Sequence, residues 1–143
     1  MSFDERVGEG PTRLLLVEDY APLAEATAEL LRDAGLTVRI AESGQEALRA
    51  AIAFRPEIVL FDLSLPDMSG LDVARALRSN PDTKDALLAM HTAMSDIDIR
   101  TFRSEIPLDE VNLFLPKPLT DEKVATLLAG LAALRRPAGP AQD

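Results

Sequence analysis

The chain has no cysteine and a single histidine, His91. The first absence excludes disulfides, thiolate zinc sites and cysteine nucleophiles; the second makes a multi-histidine metal site within one chain impossible. No apolar run approaches the ~18 residues that a membrane span requires. The first residues carry Asp4, Glu5 and Glu9 without an apolar core, so they do not read as a signal peptide, and the expected location is the cytoplasm. Positive charge is also scarce: 15 Lys and Arg against 24 Asp and Glu give a formal net charge of −9. Long-range repulsion then disfavours direct contact with nucleic acid or an anionic membrane, whereas a cationic partner or a divalent metal suits such a chain.

What is present suffices for one domain with a sizeable core, at 143 residues of which 47% are apolar and 27% charged. The most informative stretch is Ile58-Val59-Leu60-Phe61-Asp62-Leu63-Ser64-Leu65-Pro66-Asp67-Met68-Ser69-Gly70. A short apolar run that ends in an acid and then in turn residues reads as a strand buried on both faces. Asp62 would stand at its carboxyl end, where open α/β sheets bind ligands. Alone, it is as well explained by a turn or a cap.

Met1 to Pro11 shows no periodicity and reads as a flexible arm. Arg13 to Val17 is a second buried strand, tipped by Glu18 and Asp19. From Ala21 to Ala34, Leu23, Ala26, Thr27, Leu30, Leu31 and Ala34 define a helical stripe, with Pro22 in the first turn and Gly35 past the end. Leu36 to Ala41 alternates as a strand nearer a sheet edge does. Ser43 and Glu46 fit a capping box that opens a helix through Ala47, Leu48, Ala51 and Ile52 to Phe54, before Pro56. A helix from Gly70 to Arg78 points Leu71, Val73, Ala74 and Leu77 inward. Leu87 to His91 is a fourth strand, finishing at Thr92, and Ser95 to Arg103 a weakly patterned helix. Ser104 to Asn112 is the least readable segment. Val111 to Leu115 is a fifth strand, and Pro116-Lys117-Pro118 breaks it. A last helix is capped by Thr120 or Asp121, with Val124, Leu127, Leu128, Leu131 and Leu134 as its stripe. Arg135-Arg136 reads as a solvated helix end, and residues 135–143 as a flexible tail too short for an output domain.

Five alternations of strand and helix imply a doubly wound parallel sheet with helices on both faces. All strand tips then meet at one edge, which gathers Glu18, Asp19, Asp62, Thr92 and Lys117. Three carboxylates close together need a cation or a proton, and Mg²⁺ (or Mn²⁺) is the simplest. With Lys117 and the Thr92 hydroxyl, such an edge suits a phosphoryl group on Asp62, since a carboxylate can itself be the nucleophile.

On these residues the chain resembles the receiver domain of two-component response regulators, a flavodoxin-like fold, over about Thr12 to Leu134. The resemblance rests on Glu18-Asp19, on Asp62 within its Leu-Pro-containing turn, on Thr92-Ala93 and on Lys117-Pro118. It implies that Asp62 accepts phosphate from a histidine kinase or a histidine phosphotransfer protein. It further implies that Glu18, Asp19, Asp62 and the backbone carbonyl of Ser64 hold the metal, and that Thr92 and Phe114 form the switch acting on a downstream protein. It also implies a cis peptide between Lys117 and Pro118. The expected function is a signalling switch and not an enzyme beyond its own phosphorylation and dephosphorylation, with a phosphorylation-dependent homodimer compatible with the pattern.

Three departures stand out. His91 occupies a position that is usually apolar and is expected to be packed, facing away from Thr92. Ser104 to Glu110 replaces the usual small-residue pair before the fifth strand. Met94 is apolar and would orient an attacking water poorly, so a long-lived aspartyl phosphate is expected. Two other readings remain open here: an aspartyl-phosphate phosphohydrolase, which would want a second acid where the chain has Ser64, and a receiver-like scaffold that works without phosphorylation.

Overall fold

In the computed structural model, residues 10–93 and 110–136 are described. The expected arm over residues 1–9, Met94, the helix over Ser95 to Arg103, the stretch Ser104 to Asp109 and the tail from Pro137 lie outside the described residues. The elements in order are β1 (Arg13–Val17), α1 (Ala21–Asp33), β2 (Thr37–Ala41), α2 (Gly44–Phe54) and β3 (Ile58–Phe61), then α3 (Gly70–Arg78), β4 (Leu87–Thr92), β5 (Leu113–Pro116) and α4 (Asp121–Arg135). The strands form one sheet, β2-β1-β3-β4-β5, and every pairing is parallel. After β2 the chain returns past β1 to lay down β3 on its other side. The order therefore reverses between β1 and β3, which places a crevice at their carboxyl ends.

Burial follows from this topology. β3 is buried along its whole length and β1 from Leu14 onward, whereas β2, at the edge, is buried only at Ala41. The pleat splits the core in two. Leu14, Leu16, Ile58, Leu60, Leu87 and Ala89 pack against α1 and α4; Leu15, Val17, Val59, Phe61, Leu88 and Met90 pack against α2 and α3. A helical layer therefore lies on each face, as the alternation of elements predicts.

The ends of the helices show why they begin and stop where they do. At the end of α1, Gly35 (φ 97°) takes the left-handed turn, and the amides of Gly35 and Leu36 return to the carbonyls of Arg32 and Leu31. That is a Schellman arrangement. Thr120 caps α4 through the Lys123 amide. Ser43 Oγ accepts from the Glu46 amide, but the full reciprocal box forms one helix later, between Ser69 and Asp72.

Several expected positions are corrected. The α1 stripe is Ala24, Thr27, Ala28 and Leu31, with Ala26 and Ala34 exposed. With seven alanines and leucines spread through the helix, periodicity alone does not choose between neighbouring stripes. Ile52 (52% exposed) and Leu134 (46%) lie outside the core. β5 begins at Leu113, since Asn112 uses its side chain to accept from the Leu88 amide, and it ends at Pro116. Arg135 and Arg136 are exposed, as expected of a solvated helix end, and Arg135 also pairs with Glu57.

Candidate functional site

The carboxyl ends of β1 and β3 carry the acids. The Glu18 amide donates to Ala41 O (3.0 Å) and the Asp62 amide to Val17 O (3.1 Å), so each acid extends the ladder of the strand before it. Their side chains consequently emerge side by side. Carboxylate oxygens of Glu18, Asp19 and Asp62 lie within 4.8 Å of one another. Glu18 is buried, Asp62 half-buried and Asp19 exposed.

Lys117, just beyond β5, reaches into this cluster. Its Nζ donates to Glu18 Oε1 (2.5 Å) and to Asp62 Oδ2 (3.0 Å). Burial pulls the ammonium pKa down, but the hydrogen bonds and charges of Glu18 and Asp62 outweigh it, and the pKa lies above the ordinary lysine value. Glu18 Oε2 also accepts from the Tyr20 amide (3.2 Å). Three carboxylates and one ammonium leave a net charge near −2, held on hard oxygen donors and open to solvent at Asp19. That donor set fits a divalent cation such as Mg²⁺, with room for waters in its shell.

The remaining predicted residues stand around the cluster. Thr92 is buried at the end of β4, and its carbonyl accepts from the Lys117 amide at 2.7 Å. Phe114 pairs in register with Met90 and packs, half-buried, on the α2/α3 side of the core. Ser64 is exposed, its amide 3.4 Å from Asp62 Oδ1, in a bridge with Ser69. The Lys117-Pro118 peptide is cis. His91 is buried, as expected, yet among the described residues its Nε2 has no hydrogen-bond partner. Burial first, then the charges of Lys117 and Lys123, push its pKa down to about 4.

Three contributors were not legible from spacing. Asp67 accepts from the amides of Gly44 (2.8 Å) and Gln45 (2.9 Å), tying the loop after Asp62 to the first turn of α2. Those amide bonds, Gln45 first, hold its carboxyl below the usual range. Gly70 is required because a Cβ there would stand 2.3 Å from the Asp62 carbonyl oxygen. Lys123 Nζ donates to Pro116 O (2.7 Å) and Pro118 O (2.8 Å). The glycine had a sequence signal, its place after a turn; the other two contacts join elements whose proximity only the fold creates.

Residues 14–129 match the family described as "Response regulator receiver domain". The DNA-binding response regulator MtrA of Mycobacterium tuberculosis is 32% identical over 128 residues, covering 82% of this chain and 55% of that protein. The chain thus spans about half the length of the curated relatives it matches. Among solved structures, the response regulator TrrA of Thermotoga maritima in complex with Mg(2+)-BeF is 28% identical, with a TM-score of 0.72 over 84% of this chain and 98% of that one. The response regulator receiver domain from Methylobacillus flagellatus is 26% identical, also with a TM-score of 0.72, over 85% and 99%.

Proposed function

The chain belongs to the response regulator receiver family, and from that membership we propose that it is a phosphorylation-dependent switch with Asp62 as the phosphoryl acceptor. The observation that carries this assignment is the contact of one ammonium, Lys117 Nζ, with both Glu18 and Asp62 inside a cluster of three carboxylates.

The donor is a phosphohistidine of a histidine kinase or histidine phosphotransfer protein. An Asp62 oxygen attacks phosphorus as the donor's P–N bond breaks, and the bonding pair leaves with the imidazole nitrogen. Glu18, Asp19, Asp62 and the Ser64 carbonyl would hold Mg²⁺ or Mn²⁺, which supplies charge neutralisation for the transferring oxygens. Lys117, already in place, offsets charge on Asp62 and on the phosphoryl group bound to it. Thr92, at the tip of the neighbouring strand, supplies a hydroxyl donor to that group, and Phe114 responds to the shift of Thr92. The result is a population shift at the β4/β5 surface, where a downstream protein or a second copy of the chain binds. A net charge of −9 supports protein partners over direct contact with nucleic acid or membrane, a cytoplasmic location fits the same chemistry, and no helix among the described residues is long and apolar enough to cross a membrane. Turnover of free phosphoesters is not expected, because Ser64 stands where a hydrolase would want its second acid.

Titration with beryllofluoride in the presence of Mg²⁺, followed by the NMR signals of Phe114, tests this reading. A saturable, metal-dependent shift that Asp62→Ala abolishes is expected. Steady hydrolysis of added phosphoesters would indicate the hydrolase instead, and no response at all would indicate a scaffold.

A further inference from the structure

Lys123 sits in the first turn of α4, the end at which the helix dipole disfavours a cation. Its backbone is fixed there, with the amide donating to Thr120 Oγ1 at 3.2 Å. Among the described residues it forms no ion pair with a carboxylate. Its ammonium is instead committed to two carbonyls, those of Pro116 and Pro118, which flank Lys117 on either side. A charged donor strengthens both bonds. The Lys117 amide is tied from a third direction, to Thr92 O at 2.7 Å.

The Lys117 amide makes the last ladder bond of β5, to Thr92 O, and Pro118 beyond it has no amide to donate. Without Lys123, the carbonyls on both sides of Lys117 would lose their donor together.

We propose that Lys123 is a positioning residue for Lys117: its ammonium clamps the backbone on both sides of that lysine, so that Nζ meets Glu18 and Asp62 together. It touches neither the acids nor the phosphoryl group, so its effect falls on the alignment of Lys117 and leaves the acidic cluster intact. The kinetic part of this role rests on Asp62 being the acceptor; the structural part does not.

Two variants, Lys123→Met and Lys123→Arg, separate the possibilities. In Lys123→Met the Lys117 amide is expected to exchange with solvent at least ~10-fold faster, while the Leu15 and Leu16 amides of β1 keep their protection. Phosphorylation by acetyl phosphate should slow about tenfold, with Mg²⁺ affinity changed by less than about twofold, because misalignment of a catalytic group costs rate more than binding. Lys123→Arg, which keeps charged donors, should recover most of both effects. Unchanged exchange at Lys117 in Lys123→Met overturns the proposal, and so does an equal acceleration at Leu15 and Leu16, which would mean general loosening. If the wild-type protein takes up no phosphoryl group, it is the assignment of Asp62 that fails, and exchange at Lys117 still decides the role of Lys123.

Discussion

Glu18 is the most constrained residue of the site. Buried to 4% exposure, it accepts from Lys117 Nζ at 2.5 Å and from the Tyr20 amide at 3.2 Å. Removing one partner of such a pair leaves the other uncompensated, which costs more than the pair contributes. Lys117→Met should therefore lower metal-free stability by about 2 kcal/mol, less than a fully buried pair because Asp62 and Lys117 retain some solvent. The same change makes the cluster more negative, so Mg²⁺ affinity should rise. Urea unfolding without metal and a Mg²⁺ titration check the two signs, and a fall in affinity would contradict them. Glu18, Asp19, Asp62, Thr92 and Lys117 were all legible in the sequence for one reason: each follows a short apolar run, and parallel strands bring such tips to one edge. Lys123 was not, because a lysine in a helical first turn reads as surface until its carbonyl partners are known.

At the scale of elements, the loop between β3 and α3 is held from both ends. Gly70 lets α3 start against the Asp62 carbonyl, and Asp67 ties the middle of the loop to the first two amides of α2. Helix starts carry unsatisfied donors, and here another element's carboxylate satisfies them. In Asp67→Ala, exchange at the Gly44 and Gln45 amides should accelerate several-fold while the Ala51 amide deeper in α2 stays protected. Equal rates in the two proteins would show that the tie does not stabilise the helix start. Because its folded pKa is lowered, the Asp67 contribution is present above the unfolded value of 3.8 and lost as pH falls through the folded one. Element existence and order were readable from periodicity, as were most ends, where Pro22, Gly35 and Pro56 stand. The buried stripes of α1 and α4 were less so, because alanine and leucine occur on several faces and only the width of the sheet decides which are covered.

For the whole molecule, the single histidine couples pH to global stability. Its folded pKa of about 4 lies below the ordinary histidine value of 6.5, so the unfolded chain binds the extra proton between them. Stability from this source should fall as pH drops from about 6.5 to about 4 and level off below, by roughly 3 kcal/mol in all. His91→Leu removes the imidazole without removing the packing volume, and should flatten that part of the profile relative to wild type. Parallel pH profiles for the two proteins would contradict it. Fold class was fully legible because alternating strand and helix leave few topologies open, and the strand order then fixes the reversal between β1 and β3 where the acids meet.

Intact-mass measurement after incubation with acetyl phosphate, with and without Mg²⁺, tests the assignment of Asp62 most directly. The wild-type protein should gain a single phosphoryl increment only when the metal is present, and Asp62→Asn should gain none. An increment of the same size in Asp62→Asn, or its complete absence from wild type with Mg²⁺, would contradict the assignment.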